Sequence, residues 1–65
     1  MNAEKIYSWI MARFDEGRTV YVTTYTRCTA YKPKHRTMFR VKGSHCEVQH
    51  GKYWDSINFC KITAQ

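Results

Sequence analysis

The hydrophobic period of this chain changes at Gly17, and that change restricts the fold more than any other feature of its 65 residues. Before it, Ile6, Trp9, Ile10 and Phe14 recur at the spacing of one helical face, while Lys5, Ser8, Met11, Ala12 and Asp15 fall elsewhere on the wheel. Asn2 can cap such a helix, and Gly17 can end it, because glycine enters the left-handed backbone conformation that closes many helices. Asp15 and Glu16 sit at the unfavourable end of the helix dipole, with Arg13 and Arg18 placed to offset part of that cost. After Gly17, residues 19–26 are almost wholly β-branched or aromatic, which suits a pleated, half-buried strand. One helical segment followed by strands predicts an α+β fold. The N-terminal amphipathic helix packs on a small curled antiparallel sheet of three to five strands, and an SH3-like barrel is the competing architecture.

Alternation in 19–26 assigns Val20, Val22 and Thr24 to the helix side and Tyr21, Thr23 and Tyr25 to the outside, with the reverse left open because tyrosines also fill cores. Residues 27–37 hold the only proline and many polar groups, and read as a loop or an irregular strand crossing with little regular pairing of its own. Residues 38–42, a turn at Gly43 and Ser44, and residues 45–50 form a hairpin pattern with Phe39, Val41, Cys46 and Val48 on its core face. A second turn at Gly51 and Lys52 leads to Tyr53 and Trp54. Residues 54–57 are compatible with a single helical turn, with Trp54 closing one end of the core. Residues 58–63 make a last strand with Cys60 and Ile62, or else Phe59, inward.

A chain of this length forms one domain, residues 1–65, near the lower limit at which an apolar core holds a fold unaided. A homodimer therefore stays open as a way to cover apolar surface. The formal net charge is +6. Lys5, Arg13, Arg18, Lys52 and Lys61 balance Glu4, Asp15, Glu16, Glu47 and Asp55, so the whole excess comes from residues 27–42. That segment carries Arg27, Lys32, Lys34, Arg36, Arg40 and Lys42 and no acid, and Tyr25, Tyr31 and Phe39 are interleaved with its cations. Such a cluster raises the local potential that draws polyanions, and the aromatic rings offer planes for unstacked bases. The expectation is a nucleic-acid-binding protein in which Tyr25, Arg27, Tyr31, Lys32, Lys34, Arg36, Arg40 and Lys42 meet DNA or RNA. If about four to six cations each neutralise a phosphate, log K should fall against log salt with a slope of roughly −3 to −5. The alternative partner is an acidic protein surface, and the plainest reading is a basic loop that aids solubility.

Catalysis and cofactors are not expected. His45, Cys46 and His50 are close in sequence, but adjacent strand residues point to opposite faces, and the paired spacing that presents zinc ligands is missing. Glu47, Asp55 and the histidines match no catalytic spacing, and of the cysteines only Cys28, beside Arg27, has a basic neighbour. Three widely spaced cysteines fit reduced thiols better than a secreted disulfide framework. With neither a membrane-spanning stretch nor a signal-peptide pattern in the sequence, the expected location is the cytoplasm.

The run Val20-Tyr21-Val22-Thr23-Thr24-Tyr25-Thr26, the basic segment, and Gly51-Lys52-Tyr53-Trp54-Asp55-Ser56-Ile57 together resemble small uncharacterised proteins encoded by bacteriophages and prophages. The resemblance covers about the last two thirds of the chain and brings no assigned site residues. It implies a protein acting in a bacterial host cell, either on nucleic acid or as an inhibitor or regulator whose basic face docks on an acidic host protein.

Overall fold

The computed structural model describes residues 2–65. Helix α1 spans Ala3–Asp15 and begins where the Asn2 side-chain oxygen accepts from the Lys5 amide at 2.8 Å. It ends in a two-bond closure: the Gly17 amide donates to the Phe14 carbonyl at 2.9 Å and the Arg18 amide to the Arg13 carbonyl at 3.0 Å. Gly17 makes this possible at φ 76°, a conformation that costs any residue bearing a Cβ. The helix buries Ala3, Ile6, Ile10 and Phe14. Removing each of the three larger side chains from water contributes about 1.5–3 kcal/mol. Trp9, expected on that face, is only half-buried at its shoulder, with the Arg13 guanidinium 5.1 Å from the ring centroid.

The strands divide into two three-stranded antiparallel sheets, neither closed into a barrel, and the α+β class holds. In the first sheet β1 (Val20–Thr23) lies between β2 (Cys28–Tyr31) and β6 (Lys61–Ala64), with Val20 opposite both Tyr31 and Ala64. In the second, β4 (His45–His50) lies between β3 (Phe39–Lys42) and β5 (Tyr53–Ser56), with Val48 opposite both Phe39 and Asp55. A 3-10 helix, Pro33–Met38, links β2 to β3. One apolar core joins α1 to both sheets through Val20, Val22, Tyr31, Phe39, Cys46, Val48 and Ile57. Among the described residues, no helix is long and apolar enough to cross a membrane.

Several expectations are corrected. The first strand stops at Thr23, and Thr24, expected to face the helix, opens an exposed turn. There the Thr24 amide and hydroxyl donate to the Arg27 carbonyl at 2.9 and 3.2 Å, a local alternative that outweighs β propensity in 24–26. The supposed loop 27–37 contains β2 and most of the 3-10 helix. Pro33 lies in that helix's first turn, where a missing amide proton costs nothing, and the His35 Nδ1 accepts from the Lys32 amide at 2.9 Å. Residues 54–57 are not helical: Trp54 is in β5 on the outward side, and Ile57 is buried in its place. The last strand starts at Lys61, Ile62 is half-buried, and Phe59 is almost fully exposed.

The link from β5 to β6 is held by one side chain. Asn58 accepts from the Cys46 amide at 2.9 Å and donates to the Ser44 carbonyl at 2.8 Å. The Ile57 amide also donates to the Cys46 carbonyl at 2.8 Å. These bonds peel the chain away from the second sheet and deliver it to the first.

Candidate functional site

Strands β2 and β5 are edge strands of the two sheets, and residues of both line one concave surface. Between them is a cleft of about 410 Å³, within the range typical of small-ligand sites. Its apolar floor is made by Val22, Tyr31, Val48 and Ile57, all core residues whose burial is already accounted for by packing. On one rim stands the turn 24–27, with Tyr25 fully exposed and Arg27 exposed. On the other stand His50 and Asp55, which alternation in β4 and β5 turns toward the same side as Val48. The His50 Nε2 lies 3.7 Å from the Asp55 Oδ2, too far for a hydrogen bond.

Tyr31 joins these two rims to the core. Its ring packs edge-on against Phe39 at 4.9 Å and His35 at 6.1 Å. Burial raises the pKa of its phenol; the Arg27 charge and a Thr29 hydrogen bond act against that shift, and Asp55 adds to it. The hydroxyl is therefore within electrostatic reach of both charged rims.

Tyr25, Arg27 and Tyr31 are the expected site residues that the fold brings together. Tyr31 takes part only as floor, because at 4 % exposure its faces are covered and cannot receive a base. Lys32 and Lys34 are exposed at the start of the 3-10 helix. Arg36 is held by Asp15, since the 3-10 helix packs on the C-terminal end of α1. Arg40 is held by its cross-strand partner Glu47 at 2.8 Å and stacks on Trp54, 4.0 Å from the ring centroid, on the outer face of the second sheet. Lys42 is exposed beside the β3–β4 turn. The single basic stripe expected from 27–42 is thus divided, and two of its cations are matched by the protein's own carboxylates.

Arg13 and Arg18 both bridge Glu16, at 3.1 and 2.9 Å. The Arg18 hydrogen bond, with further help from Arg13, holds the Glu16 carboxyl below its usual range. Among the described residues, Arg27 is then the one arginine without a carboxylate partner.

His50 and Asp55 were not anticipated as site residues. Alternation through 45–50 already puts His50 on the face of Cys46 and Val48, but Asp55 becomes legible only once 53–56 is known to be a strand in register with β4. A shallower depression of about 660 Å³ lies next to the cleft, between Tyr25 and the exposed Phe59. Among the described residues no group of three or more histidine, cysteine or acidic side chains is placed to hold a metal ion. The cysteines are free thiols, and burial pushes Cys46 up to about 11 and raises Cys60, so neither is an activated nucleophile. No family model matches the chain, and neither the curated proteins nor the solved structures contain a match.

Proposed function

We propose that this protein is a non-catalytic binding module for single-stranded nucleic acid, engaged through the Tyr25–Arg27 turn and the adjoining cleft. One observation carries the reading: the carboxylates occupy every other arginine and leave Arg27 free, beside a fully exposed tyrosine, at the mouth of a cleft. A guanidinium next to an open aromatic face suits a phosphate followed by an unstacked base. Lys32, Lys34 and Lys42 add long-range attraction. Single strands are favoured over duplex because Tyr25 offers an open ring to an unstacked base, while Arg36 and Arg40 are already engaged by carboxylates.

The test is fluorescence anisotropy with single-stranded DNA and RNA oligonucleotides over a range of salt. With Arg36 and Arg40 engaged, three or four phosphate contacts remain, so the slope of log K against log salt should be about −2 to −3. Absence of binding at about 50 mM salt, or affinity indifferent to salt, rejects the proposal.

Phe59 favours a second reading. A large apolar side chain at 98 % exposure, facing Tyr25 across an open depression, suits the docking of a bacteriophage-type regulator on an acidic host protein. In that case Tyr25→Ala and Phe59→Ala would dominate the loss of affinity, and nuclease treatment would leave one stoichiometric protein partner in a pull-down.

A further inference from the structure

We propose that the cleft between the sheets is a base pocket that prefers bases carrying an exocyclic amino group, cytosine above all, over thymine and uracil. This rests on the nucleic-acid reading and adds to it a ligand class and a specificity residue. The argument is the polarity of the cleft. One rim carries an unpaired guanidinium, Arg27, and the other a carboxylate, Asp55, across a floor formed by Val22, Tyr31, Val48 and Ile57. A flat apolar group with an anion at one end and hydrogen-bond donors at the other fits that order, and a nucleotide is such a group. Its phosphate is attracted by Arg27 and repelled by Asp55, which sets its direction in the cleft.

Asp55 then decides the edge chemistry. An ionised carboxylate only accepts hydrogen bonds, and at 3.7 Å from His50 its acceptor capacity is not spent on that partner. The amino groups of cytosine, adenine and guanine can donate to it, the cytosine N4 amine being an established match for Asp and Glu. Thymine and uracil carry a carbonyl oxygen where cytosine carries its amine. At that position they would set acceptor against acceptor, leaving only the neighbouring N3–H to donate to the carboxylate, so they are held less well. Tyr25 at the rim is free to stack on the neighbouring base. The Asp55 side chain is 63 % exposed, so the discrimination belongs at the low end of the range for such contacts, roughly 5- to 10-fold.

Oligocytidylate and oligothymidylate of equal length, titrated at fixed salt, test this. The expected result is 5- to 10-fold tighter binding of the cytosine strand. Asp55→Asn, a change at an exposed position whose amide can both donate and accept, should erase the preference mainly by tightening thymine binding. Thr29→Trp, which fills the cleft from the edge strand opposite Val22, should erase it as well and weaken both strands. Titrating CMP and UMP with NMR detection separates a free nucleotide from one within a strand: saturation by CMP at lower concentration than by the oligonucleotide identifies the free form as the ligand. Equal binding of both strands with a steep salt slope overturns the pocket and leaves the nucleic-acid reading standing. If neither strand and neither nucleotide binds, both readings are overturned. A cytosine preference that survives Asp55→Asn overturns the role given to Asp55.

Discussion

Cys46 lies on the central strand of the second sheet with its thiol fully buried, and desolvation, helped by the neighbouring Glu47 charge, lifts its pKa from 9.0 to about 11. A group whose folded pKa is raised stabilises the fold fully below its unfolded value and loses that contribution as pH climbs to the folded one. The window here runs from about pH 9 to about pH 11. Urea midpoints across it should fall more steeply for the wild type than for Cys46→Ala, and identical alkaline curves would refute the assignment. The same burial predicts that alkylating reagents modify exposed Cys28 first and Cys46 only on unfolding. At this scale most identities that matter were readable. Val20, Val22, Phe39, Cys46 and Val48 follow from alternation and are buried. Tyr31 and Ile57 were not, since a tyrosine among cations and an isoleucine after a turn carry no periodic signal, and only the packing of other elements around them makes them core.

Among the elements, α1 was the most legible, because its period, cap and terminating glycine agree with one another. Gly17→Ala should lower stability by about 1–2 kcal/mol through left-handed strain alone, as there is open space where a Cβ would lie. Unchanged chemical denaturation in that variant would contradict the closure described. The link between β5 and β6 was the least legible, since Asn58 acts on Ser44 and Cys46 far away in sequence. Asn58→Ala leaves the half-buried Cys46 amide bond unmade and should cost about 1–3 kcal/mol. Asn58→Asp keeps the acceptor for the Cys46 amide but sets a carboxylate oxygen against the Ser44 carbonyl, and should also destabilise the fold. Residues 27–37 were misread for a related reason. Local composition there signals a loop, yet β2 gains its hydrogen bonds from β1, a partner that composition cannot reveal.

For the whole molecule the consequence of folding is a redistribution of charge. The excess in 27–42 is a property of the chain, but which of its cations face solvent unopposed depends on Asp15 and Glu47, brought against them by helix packing and by strand register. Neutralising Arg27, Lys32, Lys34 or Lys42 one at a time should therefore reduce the salt slope of oligonucleotide binding by up to about 0.7 each, while Arg36→Ala and Arg40→Ala should leave it nearly unchanged. Equal effects at all of these positions in salt-dependence measurements would restore the picture of an undivided basic stripe. Periodicity, turn chemistry and net charge, all local or additive along the chain, determined by themselves the helix, the central hairpin, the α+β class and the excess of positive charge. The split into two sheets, the cleft between them and the selection of Arg27 and Asp55 as its opposed rims were decided only by tertiary structure, because each depends on contacts between residues that the sequence holds apart.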